Sequence, residues 1–216
     1  VTDWNGLSKT GFYRCAAAAG TGTPTAAAHW GCIHQEQGGG QAGQLAFHAD
    51  TETLFQRSRT APGQWQDWHQ VYHAGSILGT VSQSAGTPTG AIIERGSNAN
   101  GDYVRFADGT QICTVKDLDM GSVTAFGSGT FADPYRTDTP ANLTWPAAFS
   151  PSGPAVSCSV RLSGDTVVNA SSRSLILQIT TPPGMTGWTA LRAQRVSSDT
   201  TNRNALLSVL AIGRWV

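Results

Sequence analysis

The stretch 98–113 reads NANGDYVRFADGTQIC. Asn100-Gly101 and Asp108-Gly109 both tolerate positive φ at the two central turn positions, which is what a two-residue type I′ hairpin loop demands. A strand with a tight turn at each end is therefore predicted. Within it Tyr103, Arg105 and Ala107 share one face and Val104 and Phe106 the other, and Gln111 and Cys113 alternate with Ile112 in the strand that follows. The pattern is that of a β-meander.

Outward from this stretch the same period continues. SVTAFGSGTF at 122–131, AVSCSVRL at 155–162, SLILQIT at 174–180 and ALLSVLAIGRW at 205–215 read as strands, separated by Gly, Pro, Asn and Asp. Towards the N-terminus GFYRC (11–15), HWGCIHQ (29–35), QLAFHAD (44–50), TLFQRSR (53–59) and QWQDWHQVYH (64–73) read the same way. Ala16 to Ala19 and Ala26 to Ala28 hint at helix, but each run is closed by Gly or flanked by Pro, so at most one turn is expected. The fold class is all-β.

Composition bounds the function. With 216 residues the chain has room for one large or two small units. Only 13% of residues are charged, against roughly 25% in an average domain, and the formal net charge is zero. Lys9 and Lys116 are the only lysines and the arginines are scattered. No basic face exists to track phosphates, so nucleic acid is not an expected partner. No apolar run approaches the roughly 20 residues that cross a bilayer, so no membrane insertion is expected. The chain starts at Val1 without an initiating Met, which predicts a mature or truncated piece of something longer. Cys15, Cys32, Cys113 and Cys158 are too widely spaced for a disulfide scaffold and read as buried small hydrophobes; a bridge between Cys15 and Cys32 in neighbouring strands is the alternative.

Organisation changes at 74–101, where AGSILGTVSQSAGTPTGAIIERGSNANG is rich in Gly, Ser, Thr and Ala with isolated pairs Ile77-Leu78 and Ile92-Ile93. This reads as an extended connector between a first domain at 1–73 and a second at 102–216. Its aliphatic pairs need another surface, which three copies wound about one axis would supply. The last strand supports the same assembly: Leu206, Ser208, Leu210, Ile212 and Arg214 lie on one face and Leu207, Val209, Ala211, Gly213 and Trp215 on the other, so burial is expected on both sides.

Aromatic residues bracket the first domain at Trp4 and at Trp65 and Trp68, where their expected role is to hold a small core; stacking on a sugar is the alternative. W4-x-x-L7, G11-F12-Y13, the turn QGGGQAGQLAF, L54-F55-x-R57 and W65-x-x-W68-x-x-V71-Y72 resemble the knob domain of pyocin and phage tail fibres. The segment GAIIERGSNANGDYVRFADGTQIC is similar to a junction near the distal end of phage and gene transfer agent tail fibres. LTWPAAFSPSGPAVSCSV at 143–160 and SVLAIGRW at 208–215 are similar to the C-terminal domain of such fibres, a β-sandwich of H-type-lectin shape. What the resemblance implies is an intertwined homotrimer with a small knob domain and a C-terminal antiparallel β-sandwich, carried on a virion or phage-like particle and extracellular after release. Its partners would be a host cell-surface glycan, polysaccharide or lipopolysaccharide, together with other tail or baseplate proteins.

There is no GxSxG elbow, no phosphate loop and no HExxH pair, and no cofactor is expected. His29 and His34 would point to opposite faces of one strand; His69 and His73 could share a face, but ordinary surface roles are expected of them rather than a metal. The carboxylate pairs Asp117 with Asp119 and Asp133 with Asp138 could serve a glycan depolymerase, although solvated strand-end or turn-capping roles compete. In FADPYRTDTP, Asp133, Tyr135, Arg136 and Asp138 combine an aromatic face, a guanidinium fork and two acceptors, a set that recognises sugar hydroxyls. Trp188, after the Pro182-Pro183-Gly184 break, either caps the sandwich or stands exposed as a further sugar platform. The expected function is attachment to a host surface without catalysis, against the alternatives of a depolymerase, a structural fibre segment and a secreted lectin.

Overall fold

The computed structural model of the protein describes residues 1–15, 20–27, 29–163, 175–197 and 202–216. Contacts divide the chain into two units, Val1–Ile77 and Leu78–Val216. Both are β-structures, and helix among the described residues is confined to one turn, α1 (Ala74–Ile77). The alanine runs read as weak helix hints fall largely outside the description: Ala16 to Ala19 and Ala28 lie beyond the described residues.

The first unit is an antiparallel meander of β1 (Gly11–Cys15), β2 (Trp30–Gly38), β3 (Gln41–His48), β4 (Leu54–Arg59) and β5 (His69–Val71), in sequence order across one sheet. Period two assigns the faces. Trp30, Cys32 and His34 of β2, Ala42, Gln44, Ala46 and His48 of β3, and Arg57 and Arg59 of β4 point inward. Trp4, Leu7 and Cys15 join them, with Tyr13, Phe55 and Trp68 packed against the cluster. Half of this inner face is polar, so it is held by a network as well as by burial. Gln44 donates to the Trp4 carbonyl at 2.9 Å, Arg57 Nε donates to Gln44 Oε1 at 2.8 Å, and Arg59 forks onto the Glu36 carboxylate at 2.7 and 2.8 Å. Trp65 and Trp68 anchor the unit, their indole N–H groups donating to the carbonyls of Asn5 and Gly22. Cys15 and Cys32 are not bridged: β1 pairs with β2 so that Cys15 lies opposite Trp30 and Cys32 opposite Tyr13.

The second unit contains β6 (Gln83–Ser84), β7 (Thr87–Pro88), β8 (Ile93–Asn98), β9 (Gly101–Phe106), β10 (Thr110–Ser122), β11 (Tyr135–Arg136), β12 (Ala141–Thr144), β13 (Ala155–Leu162), β14 (Leu175–Gln178), β15 (Gly187–Arg195) and β16 (Asn204–Arg214). One sheet runs β13-β16-β10-β9-β8; in the other β15 is central, with β14 on one edge and β11 and β12 on the opposite edge. Between them lies a core of Cys113, Val115, Leu143, Trp145, Phe149, Trp188, Leu191, Leu207 and Val209 with smaller neighbours. This is an antiparallel sandwich. Each fully buried Leu or Val on its inner faces contributes about 1.5–3 kcal/mol.

The connector expected at 74–101 is not one. Residues 78–101 fold with the second unit: β6 and β7 form a hairpin, Gly79 N–H donates to the Ile93 carbonyl, Ala91 N–H to that of Thr80, and β8 becomes the edge strand of the larger sheet. A strand that hydrogen-bonds its neighbour along six residue pairs satisfies its own backbone, which the Gly- and Ser-rich composition concealed.

The turns also differ from their expected type. β8 and β9 pair Asn98 with Gly101, so the loop is Ala99-Asn100, closed by the Asn98 side chain accepting the Asn100 N–H at 2.8 Å. Gly101 follows at φ 130°, where a Cβ would come within 2.1 Å of the Thr114 carbonyl oxygen. The second loop is a three-residue one: Gly109 N–H donates to Phe106 C=O at 3.0 Å and Gly109 takes φ 93°, a β-turn followed by a left-handed glycine. A hairpin with both central φ values positive occurs instead at Ala85-Gly86, with φ of 48° and 84°.

Two further expectations are corrected. Beyond Ser122, 122–131 is loop rather than strand, because Gly127 and Gly129 take left-handed φ of 92° and 78° under the Pro134 and Ser197 carbonyls. Cys158 is exposed on β13, whereas Cys15, Cys32 and Cys113 are buried as expected. Ser174, read as the start of a strand, lies outside the described residues.

Candidate functional site

The loop between β10 and β11 is braced from several directions. Phe126 and Arg136 exchange backbone hydrogen bonds at 3.2 and 2.9 Å, Ser128 N–H donates to Asp133 C=O at 3.1 Å, and Ser197 N–H donates to Gly129 C=O at 3.0 Å. Arg192 donates to the carbonyls of Thr137 and Asp138, which fixes where the loop leaves β11. A segment tied at both ends holds its tip in one place. That tip presents Phe131, 92% exposed, and Phe126, 48% exposed.

The residues singled out from the sequence divide. Asp133 and Arg136 come together, Nη1 to Oδ1 at 3.3 Å, both with open side chains, and the Arg136 guanidinium lies 5.9 Å from the Phe126 ring centre. Tyr135 is half-buried: its ring lies against Gly129, and the Arg195 guanidinium sits 5.7 Å from its centre. It braces the loop rather than offering a stacking face. Asp138 is exposed, and its carbonyl takes the Arg192 contact. Trp188 leaves the site altogether. It is 1% exposed, packs in the sandwich core, and its indole N–H donates to the Thr181 carbonyl at 2.7 Å. On β15 its side chain falls on the inner face, and burying so large an aromatic outweighs exposing it.

The two phenylalanines do not stand out under a strand assignment of 122–131. Their signal is in TAFGSGTFADP, where apolar rings stand among turn-forming residues.

The other carboxylate pair, Asp117 and Asp119, is spent on structure. Asp117 sits at a β-bulge in β10 with φ 54°, where the register with β16 shifts between Val115 and Leu118. Its carboxylate takes the Arg161 guanidinium at 3.0 Å, and Asp119 accepts from Gly121 N–H and the Asn204 amide, both at 2.8 Å. The Arg161 hydrogen bond, followed by the charges of Arg161 and Lys116, holds the Asp117 carboxyl below its ordinary value. The folded pKa is thus the depressed one, so its contribution to stability is present above the unfolded pKa of about 4 and lost as pH falls through the folded value. In Arg161→Gln, a carboxyl carbon NMR titration should place the Asp117 midpoint higher than in the parent protein; an unmoved midpoint would show that the ion pair does not form in solution.

No group of three or more His, Cys, Asp or Glu among the described residues is placed to hold a metal ion. His34 is instead buried between Gln44 and Glu36, and His29 pairs with Asp50 at 2.8 Å. Among the described residues no helix is long and apolar enough to cross a membrane.

Around the bulge of β10 the second unit opens into a cleft of about 530 Å³, between the β8–β9 hairpin, residues 114–119 of β10, and residues 142–144 of β12. Its wall mixes polar and apolar groups, with Asn100, Asp102, Lys116 and Asn142 exposed beside Val115, Leu118 and Leu143.

No protein-family model and no curated protein matches the chain. The chain resembles pyocin tail fibres in structure. Against the C-terminal part of the P. aeruginosa R1 pyocin fibre it is 15% identical, with 98% of this chain and 65% of that one covered and a TM-score of 0.40. Against an N-truncated R1-type pyocin tail fibre it is 19% identical, covering 56% and 84%, at a TM-score of 0.39. A P. aeruginosa R2 pyocin fibre gives 14% identity, 99% and 65% coverage and a TM-score of 0.32. The chain thus spans 65% of the length of the first of these. These figures describe a distant likeness.

Proposed function

We propose that this chain is a distal part of a phage-like tail fibre that attaches its particle to a host cell surface by binding a glycan. The observation that carries the reading is the braced loop of the second unit, which holds exposed Phe126 and Phe131 beside the Arg136–Asp133 pair. Flat apolar rings cover the C–H face of a sugar, and a guanidinium with a carboxylate offers donors and acceptors to its hydroxyls. The knob-like first unit and the junction motif before β10 agree with a fibre setting. No bond needs to be broken for attachment, so the chain acts without catalysis.

A homotrimer belongs to the same proposal. Across the outer face of the larger sheet, Ala155, Ile212, Ile112, Val104 and Arg95 form one cross-strand row, and Ser157, Leu210, Thr114, Asp102 and Ser97 the next. Leu210 and Ile212 are 41% and 46% exposed there, although Ala205, Leu207, Val209 and Ala211 on the inner face of β16 are buried. Contact with further copies at the β13–β16 side of this face would cover Leu210 and Ile212 while leaving the β9 end open, and three weak sugar sites on one fibre would raise the effective concentration of each.

The test is the mass of the protein by light scattering, followed on the same sample by binding to host cells. A trimer that binds, and that loses at least tenfold in apparent affinity in the Phe131→Ala, Arg136→Ala double variant, is the expected result. Unchanged binding in that variant would remove the loop from the reading. Release of reducing sugar from the host polysaccharide would replace attachment by depolymerisation.

A further inference from the structure

We infer that the cleft beside the β10 bulge is a second saccharide site, taking one or two units of a neutral, hydroxyl-rich glycan. The inference rests on the glycan reading above but names a different place and different residues. Its first support is shape. About 530 Å³ lies within the range of roughly 300–1,000 Å³ typical of small-ligand sites, and the walls come from two sheets and a hairpin rather than from one flexible loop.

The second support is the state of its polar groups. Asn100, Asp102, Thr114, Lys116 and Thr144 are among the residues lining the cleft, at the rim where β9 ends, and their side chains take no hydrogen bond from the described residues; Asn142 spends only its oxygen, on the Ala190 N–H. The carboxylates of Asp117 and Asp119 are already engaged by Arg161, Asn204 and the Gly121 N–H, so they contribute little to a ligand. What remains is one cation, one anion, two amide groups and two hydroxyls. Donors and acceptors are mixed and their formal charges cancel. A hydroxyl gives one hydrogen bond and accepts others, so a polyol matches such a mixture, whereas a phosphate or an acidic sugar would meet the unpaired Asp102 carboxylate beside the one lysine.

The third support is the backbone. β9 pairs with β10 only as far as Asp102 opposite Thr114, so beyond Thr114 that edge of β10 has no strand partner among the described residues. Its N–H and C=O groups border the cleft and add fixed donors and acceptors. The ladder stops there because β9 begins at Gly101, directly after the β8–β9 turn, and the bulge that holds Asp117 at positive φ follows on the β16 side.

The experiment uses the full chain on an array of neutral bacterial O-antigen and capsular oligosaccharides. Every oligosaccharide bound is then titrated against Asp102→Ala, Lys116→Ala and Phe131→Ala. All three positions are exposed, so the variants should fold as the parent does. The expected result is binding that weakens at least tenfold in Asp102→Ala and in Lys116→Ala, with amide NMR shifts at Asn100, Lys116 and Asn142. Binding that is lost in Phe131→Ala and unchanged in the two cleft variants would overturn this inference and leave the attachment proposal standing. Absence of any bound oligosaccharide would also overturn it, whatever the outcome of the host-cell binding assay, which judges attachment separately.

Discussion

Trp188→Ala should lower the stability of the second unit by roughly 3–5 kcal/mol, the usual cost of emptying a buried Trp site. The side chain is 1% exposed and lies among Leu143, Leu191 and their neighbours. Truncation leaves a cavity and also strands the Thr181 carbonyl, whose indole partner lies at 2.7 Å. Against a total of about 5–15 kcal/mol for a typical domain, such a loss shifts the urea midpoint far or abolishes folding. Phe131→Ala on the same sandwich should stay within about 0.5 kcal/mol, since that ring is 92% exposed. Urea unfolding of both variants separates a core aromatic residue from a surface one. Equal and small changes would mean that Trp188 is not the anchor described above.

Arg57→Ala should have a comparable effect on the first unit, on the order of 3–5 kcal/mol, because truncating one member of a buried polar network leaves the others unpaired. The Arg57 guanidinium lies between two indoles, 4.3 Å from the centre of Trp65 and 4.4 Å from that of Trp68. It donates to Gln44 Oε1 at 2.8 Å and to Asn5 Oδ1 at 2.9 Å. No carboxylate forms an ion pair with it among the described residues, so π faces and amide oxygens stabilise the charge. Burial pushes its pKa down to about 10, which still leaves it charged at neutral pH. The same burial pushes the Cys32 thiol up to about 12. Arg57→Met should cost less than Arg57→Ala, because the thioether keeps the space between the rings filled and no charge need be buried. A thermal or urea series of the parent and both variants tests this order; Arg57→Met as damaging as Arg57→Ala would place the whole effect in the hydrogen bonds.

The two carboxylate pairs show why a site is harder to read than a strand. Asp117 with Asp119 and Asp133 with Asp138 look alike along the chain, each a short spacing beside a predicted strand. In the fold, Asp117 answers to Arg161 and Asp119 to Asn204, 44 and 85 positions away. Asp133 answers to Arg136, only three positions away, and so the local reading of that pair survived in part. The cleft was illegible for the same reason. Asn100, Lys116 and Asn142 come from a hairpin, a bulged strand and the facing sheet, and no local pattern links them.

Local chemistry, by contrast, was legible wherever the backbone responds to its own side chains. Alternation of size and polarity placed β1 to β4, β9, β13 and β16 and assigned their faces, because a strand sends successive residues to opposite sides. On β16 it separated Leu207 and Val209 from Leu210 and Ile212 correctly. Alternation cannot say what covers the second face, and in this chain nothing described does. Glycine-bearing pairs announced turns at 100–101 and 108–109, but the turn geometry was set by the Asn98 and Asp108 side chains and by the approach of the Thr114 carbonyl to Gly101. The all-β class, the meander and the core faces were thus determined by the sequence, since each depends on neighbours two residues apart. Only the tertiary structure drew 78–101 into the second sheet, buried Trp188, spent Asp117 and Asp119 and left Phe131 bare, since each of those outcomes depends on partners that the chain brings together only on folding.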